Sequence, residues 1–279
     1  MKHILVTGAD SYIGTSLVSY LRGKPYQLTT LDVRDPQWSA CSFSGYDAVL
    51  HVAAIVHQKE RPEMEELYFR VNRDLAVQVA RKAKAEGVGQ FILMSSMSVY
   101  GTDTGVITPD TVPEPVSFYG KSKLAAEELI RKEADDEFRV CILRPPMVYG
   151  PGCKGNFQTV VKLVKKLPVF PQLRNERSMI CIDNLCEFLK LCIDEGESGL
   201  FFPQNRDYMQ TSRMARTIAG KLGRRVLFSR LAGFAVRLMV PVVPVAGKAF
   251  GSLVYRDTER HDYRYCVRDN AGSVSDSVS

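Results

Sequence analysis

Short unbroken apolar runs alternate with amphipathic stretches through the first half of the chain. The run His3-Ile-Leu-Val-Thr-Gly8 is too short for a helix and stops at glycine just before Gly14 and the amphipathic segment Thr15 to Leu21. Strand, tight turn and helix are predicted there. A second run, Gln27 to Leu31, ends in Asp32. Two more have the apolar character of buried strands: Asp47-Ala-Val-Leu-His51-Val-Ala-Ala54, which runs into small residues, and Gln90-Phe-Ile-Leu-Met-Ser95-Ser96, whose end carries hydroxyls. Farther on, Leu231 to Phe250 is apolar but interrupted by Arg237, Pro241, Pro244 and Lys248, which excludes a clean membrane span. Helices of a smaller lobe or a dimer contact are the favoured readings of that stretch, and a segment lying on a membrane surface is a third. The tail Ser273-Val-Ser-Asp-Ser-Val-Ser279 is expected to fray.

A chain of 279 residues with 45% hydrophobic content can bury a full core, as one large domain or two small ones. Two lobes are favoured, over residues 1–150 and 151–279. The seven cysteines are scattered without Cys-x-x-Cys spacing and are odd in number, which argues for reduced thiols in a cytoplasmic protein. None of the four histidines is paired for metal, so no metal site is expected. With the first strand predicted at the amino terminus, no signal peptide is expected. Net charge is +6 and uneven, with Arg206 to Arg268 rich in arginine and poor in acids. Nucleic acid, anionic lipid or a field that draws in a doubly charged small molecule would each suit that excess, beside a plain solvated face. Nucleic acid ranks last, because aromatic and basic residues do not interleave.

Candidate chemistry sits at two places. Gly8 to Gly14 forms a glycine-bounded turn between strand and helix, and a dinucleotide pyrophosphate suits such a helix amino terminus while Asp32 suits its ribose hydroxyls. Asp32 would repel a 2′-phosphate, whereas Arg34 two positions on could neutralise one. NAD(H) is therefore favoured and NADP(H) stays open. In Tyr119-Gly-Lys-Ser-Lys123 a tyrosine and a lysine four apart share one helix face. Tyrosine titrates near pH 10 and needs a fixed positive charge to act as an acid or base at neutral pH. Lys123 can supply it, and the alternative is an ordinary surface pair.

The turn Thr7-Gly8-Ala9-Asp10-Ser11-Tyr12-Ile13-Gly14 resembles the Thr-Gly-x-x-Gly-x-x-Gly fingerprint of extended short-chain dehydrogenases, with Ser11 in place of the middle glycine. Serine adds a side chain where phosphate and backbone approach, so the loop sits slightly off or the hydroxyl joins the phosphate shell. His51-Val-Ala-Ala54, Ser96 three residues before Val-Tyr-Gly101, Tyr119 and Lys123 follow in that family's order. Arg144-Pro-Pro-Met-Val-Tyr-Gly-Pro-Gly152 and Arg177-Ser-Met-Ile-Cys-Ile-Asp-Asn184 extend the likeness to about two thirds of the chain. The resemblance implies an α/β, Rossmann-type doubly wound parallel sheet with a smaller sugar-nucleotide lobe, chain segments that cross between lobes, and a homodimer formed through a two-helix face. It implies catalysis by Ser96, Tyr119 and Lys123. The cofactor shell it implies is Gly8, Ser11, Tyr12, Ile13, Gly14, Asp32, Arg34, His51, Ala53, Ala54 and Pro146, together with Tyr119 and Lys123. A core imidazole suits His51 better than a catalytic one.

Within that family the likeness is to capsule-type reductases of UDP-linked 4-keto-6-deoxy-N-acetylhexosamines, carried by Ala53-Ala-Ile-Val-His57, Arg144-Pro-Pro-Met147, Lys154-Gly-Asn-Phe157 and Gly251-Ser-Leu-Val-Tyr255. It implies substrate contacts from Ser96, Ser98, Met147, Asn156 and Arg177. For His57, simple loop packing stands beside a substrate contact. Many hexose epimerases have asparagine where Met147 stands, and a thioether cannot replace its hydrogen bonds. The expected reaction is reduction of a 4-keto sugar, with a 4-epimerase using the same residues as the alternative and a non-catalytic dinucleotide sensor as a second.

Overall fold

The computed structural model describes residues 1–8, 10–56, 60–240 and 244–278. In chain order the first half holds β1 (Lys2–Thr7), α1 (Tyr12–Tyr20), β2 (Tyr26–Leu31), β3 (Ala48–His51), α2 (Glu65–Phe69), α3 (Leu75–Ala85), β4 (Gln90–Met94), β5 (Gly105–Ile107), α4 (Phe118–Arg131) and β6 (Arg139–Leu143). The second half holds β7 (Met147–Tyr149), α5 (Asn156–Lys166), β8 (Val169–Pro171), β9 (Met179–Cys181), α6 (Ile182–Glu195), β10 (Gly199–Phe201), α7 (Thr211–Lys221), β11 (Leu227–Ser229), α8 (Arg230–Met239), α9 (Pro244–Phe250), β12 (Leu253–Tyr255) and α10 (Asn270–Asp276).

These elements form two compact units. The first comprises Met1–Gly101, Val112–Pro145 and Cys186–Phe202. Its six-stranded parallel sheet has the order β10-β6-β4-β3-β1-β2. Strands β3 and β4 are buried along their whole length, as strands covered on both faces must be, while β2 at the edge is partly exposed. Strand order reverses beside β1, and ligands of doubly wound sheets bind outside the carboxyl ends of the strands at such a reversal. Pairing Thr7 with both Leu31 and His51, and His51 with Leu93, puts Gly8, Asp32 and Val52 just beyond the carboxyl ends of their strands, level with Met94 at the end of β4. Helix α3 covers the sheet with Ala76, Val77, Val79, Ala80 and Ala83, a stripe of helical period. Helix α4 adds Ala126 and Ile130 to that core, but its buried face also carries Ser122, Lys123 and Glu127.

The second unit comprises Thr102–Thr111, Pro146–Leu185 and Pro203–Ser279. Three parallel strand pairs, β7 with β9, β5 with β12 and β8 with β11, replace a large sheet. A side-chain amide braces the β7–β9 pair: Asn205 accepts from the Cys181 backbone N–H at 3.1 Å and from Asn184 at 2.8 Å, and donates to the Tyr149 hydroxyl at 3.0 Å. The chain's tail corrects an expectation. Far from fraying, it forms α10, capped by Asp269, with Ser273, Val274, Ser277 and Val278 buried. Serine hydroxyls can be buried because they bond backbone carbonyls, as Ser273 does to Asp269 at 2.6 Å, and Ser273 also pairs with Tyr149 at 2.7 Å. The stretch Leu231 to Phe250 contributes the helices α8 and α9. No helix among the described residues is long and apolar enough to cross a membrane. The seven cysteines are all free thiols.

Candidate active site

The end of β1 is built by close approach. Gly8 has φ +79°, and a Cβ there would stand 2.7 Å from the Ala53 backbone nitrogen, so only glycine lets the residues after β3 lie against the turn. Ser11 caps α1, its hydroxyl accepting from the Gly14 N–H at 3.0 Å. The hydroxyl therefore serves the helix, and Tyr12 and Ile13 open its first turn, where backbone N–H groups suit an anion. His51 is fully buried, pairs through Nδ1 with the Thr7 hydroxyl at 2.8 Å and stacks on Phe91. Burial, aided by the charge of Lys123, pulls it down to about 3, so the ring is neutral at physiological pH. Its partner is a side chain and not the backbone. Ala53 and Ala54 are half-buried beyond it.

Asp32 and Arg34, which pull in opposite directions on cofactor choice, are bound to each other. Arg34 Nε donates to Asp32 Oδ1 at 2.9 Å, its Nη2 to Oδ2 at 2.8 Å, and Nη2 also reaches Asp10 at 2.9 Å. That hydrogen bonding holds the exposed Asp32 carboxyl down at about 2. A 2′-phosphate would compete with Asp32 and Asp10 for the Nε and Nη2 donors of Arg34.

Ser96, Tyr119 and Lys123 meet because α4 begins against the turn that follows β4. Ser96 caps the single turn Met97–Tyr100, accepting from the Ser98 N–H at 3.1 Å and donating to the exposed Ser98 hydroxyl at 3.1 Å. A Cβ on Gly120 would lie 2.5 Å from the Ser98 carbonyl oxygen. That contact sets the half-buried Tyr119 beside Ser96. Burial pushes the Tyr119 phenol up to about 12, Ser96 opposing, so it carries its proton at neutral pH. One turn later the buried Lys123 ammonium donates to the Met94 carbonyl at 2.8 Å. Burial lowers it to about 8, while the nearby Glu127 carboxylate favours the charged form.

Two supporting residues, Glu60 and Asn72, have no local signal in the sequence. Glu60 accepts from the backbone N–H groups of Phe118 and Tyr119 at 2.9 and 3.0 Å, and Ser117 takes that of Gly120. These are donors that a helix start leaves unpaired. Asn72, buried in a π-type turn between α2 and α3, binds the Ile55 N–H at 2.8 Å and Ser122 at 3.1 Å. Glu127 is buried against Arg144, which also donates to Tyr100 at 2.7 Å, and it accepts a short hydrogen bond from Ser95. Glu127 could have been suspected from its place four residues after Lys123, and Arg144 from its motif.

The remaining candidates belong to the second unit. Pro146 is buried at the start of the unit's second segment, and Met147 is half-buried on β7 opposite Met179. Asn156 is exposed at the start of α5, after Gly155 with φ +88°. Arg177 bridges Met209 and Leu253 through its backbone and donates from Nη1 to the carbonyls of Gly251 at 2.9 Å and Gly247 at 3.3 Å. One edge of its guanidinium is thus engaged by the protein. His57 lies outside the described residues.

The chain and its fold have counterparts among known proteins. Residues 4–202 match the model of the NAD dependent epimerase/dehydratase family. The chain belongs to this family. It is 32% identical to a UDP-glucose 4-epimerase of Vibrio cholerae, over 78% of this chain and 75% of that one. A UDP-glucuronic acid 4-epimerase from Bacillus cereus, solved in complex with NAD, superposes with TM-score 0.75 at 18% identity, over 99% of this chain and 95% of that one. A dTDP-4-dehydrorhamnose reductase from Bacillus anthracis, in complex with NADP, superposes with TM-score 0.69 at 20% identity, over 82% and 84%. The family thus spans epimerases and reductases of nucleotide sugars on one Rossmann-type fold, and its structural neighbours bind either cofactor.

Proposed function

We propose that the protein reduces the 4-keto group of a nucleotide-linked 6-deoxy-N-acetylhexosamine, UDP being the favoured nucleotide, in surface polysaccharide biosynthesis. The observation that carries this reading is the Tyr119 phenol beside Ser96, where burial makes its proton harder to remove than that of a free tyrosine. A group that holds its proton at neutral pH is ready to give it to a developing alkoxide, whereas oxidising a sugar alcohol requires the proton to be removed first. Met147 supports the 6-deoxy choice, since a thioether suits a methyl group and offers no partner to a C6 hydroxyl.

The residues at the ends of β1, β2 and β3 suit a nicotinamide dinucleotide. Gly8 leaves room for backbone approach, the α1 amino terminus with Ser11, Tyr12, Ile13 and Gly14 favours a pyrophosphate, and Asp32 accepts from a ribose hydroxyl. His51, Ala53, Ala54 and Pro146 complete the shell, and Asp32, paired with Arg34, favours NAD(H). When bound, the dinucleotide supplies the hydride. Ser96 positions the C4 oxygen, Tyr119 donates a proton to that oxygen and regains one from solvent, and Lys123 keeps a positive charge one helical turn away. Asn156 and Arg177 are assigned to the diphosphate and Ser98 to the sugar, so that binding energy remote from C4 serves the reaction.

A 4-epimerase using the same residues is the second reading, and the Vibrio cholerae relative favours it. The deciding experiment mixes purified protein with reduced nicotinamide cofactor and a UDP-4-keto-6-deoxy-N-acetylhexosamine. Stoichiometric cofactor oxidation with a 6-deoxy amino sugar nucleotide as product is expected, with little epimerisation of UDP-glucose or UDP-N-acetylglucosamine. Fast epimerisation without net cofactor consumption would overturn the reductase reading.

A further inference from the structure

Helix α8 wears its apolar residues on the outside. Gly233 is its buried residue, and a Cβ there would stand 2.1 Å from the Gln172 carbonyl oxygen, so the helix is seated by its backbone. Leu231, Phe234 and Leu238 are 84%, 65% and 62% exposed. Their spacing of i, i+3 and i+7 puts them on one face, the reverse of a helix that turns its apolar stripe to a core. Met239 extends the stripe, and the exposed Leu227 continues it on β11, the strand that leads into α8.

Cations border this surface. Arg230 and Arg237, seven residues apart, lie along one edge of the stripe, both exposed. Next to Leu227 an open groove is lined by Arg216, Arg224, Arg225 and Phe228, with the Arg216 guanidinium 4.1 Å above the Phe228 ring. From Tyr208 to Arg256 the sequence has nine Lys or Arg and no Asp or Glu.

The charge decides between occupants. A second copy docking on this face by two-fold symmetry would set the same arginines against one another. An anionic bilayer provides an apolar layer for the leucines and phenylalanine and negative headgroups for the arginines. We propose that this face docks the protein on an anionic phospholipid bilayer, with α8 lying in the plane of the interface.

The test is sedimentation of the full chain with vesicles of phosphatidylcholine alone and of equimolar phosphatidylcholine and phosphatidylglycerol. Binding to the mixed vesicles should be at least about tenfold tighter and should weaken as salt is added. The exposed-face variant Leu231→Ser, Phe234→Ser, Leu238→Ser should bind mixed vesicles at least about tenfold more weakly while keeping its melting temperature. The pair Arg224→Gln, Arg225→Gln should cost about fivefold per arginine. Equal binding to both vesicle types, or equal binding by wild type and the triple variant, overturns the proposal. So does a wild type that ignores vesicles but forms a dimer that the triple variant loses, which would assign the face to a second copy.

Discussion

Gly120→Ala tests whether contact between α4 and the Ser96 turn sets the catalytic geometry. The added Cβ would meet the Ser98 carbonyl at 2.5 Å and Pro115 Cβ at 3.0 Å, where ordinary contact begins at 3.4 Å. About 0.9 Å must be found, and the nearer obstacle is backbone, which cannot swing aside. Either the first turn of α4 lifts or the Met97–Tyr100 turn retreats, and both move Tyr119 away from Ser96. A misplacement of about 1 Å is worth about a hundredfold in rate, and overpacking of this kind costs about 1–3 kcal/mol of stability. Steady-state turnover of the 4-keto sugar should fall about a hundredfold while cofactor affinity, set at Gly8 and Asp32, changes little, and thermal melting should drop by a few degrees. A variant with near wild-type turnover and unchanged melting would refute the reasoning, because the clash would then be absorbed without moving the tyrosine.

Tyr119→Phe removes a hydroxyl and little else, so turnover should fall by about two to four orders of magnitude with folding and cofactor binding retained, and a variant of near wild-type activity would reject the proton-donor role. Asp32→Ala should raise the NADP(H) to NAD(H) ratio of kcat/KM, since it removes the carboxylate that holds Arg34 as well as the charge that repels a 2′-phosphate; an unchanged ratio would reduce Asp32 to a turn residue. Lys123 titrates at about 8 instead of its ordinary 10.5 because burial disfavours its charge. The unfolded chain therefore holds this proton where the native state has lost it, so stability relative to Lys123→Met should rise with pH from about 8 to 10.5, by up to about 3 kcal/mol. Melting curves of both proteins across that range read the difference, and parallel curves would show that the ammonium is not desolvated.

Sequence by itself determined the local chemistry. The apolar run into Gly8, the helix after Gly14, Asp32 at the close of the second strand and the shared face of Tyr119 and Lys123 all follow from residue periodicity and turn preferences, which act over a few positions. Motif order then carried the fold and family. Tertiary structure decided the rest, because it depends on which distant residues are brought together and how much water they lose. Gly120 matters for a carbonyl twenty-two residues back, and Glu60 and Asn72 brace α4 from segments far from it in the chain. The raised value for Tyr119 and the low value for Lys123 come from burial, which no spacing reports. Asp32 and Arg34 could be placed two residues apart from sequence, but only the folded loop made them partners. The serine-rich tail reads as solvated because serine is polar, yet backbone carbonyls satisfy its hydroxyls and let α10 pack. In α8 the apolar period predicts a helix correctly and says nothing about which way it faces; Gly233 against Gln172 turns the stripe outward.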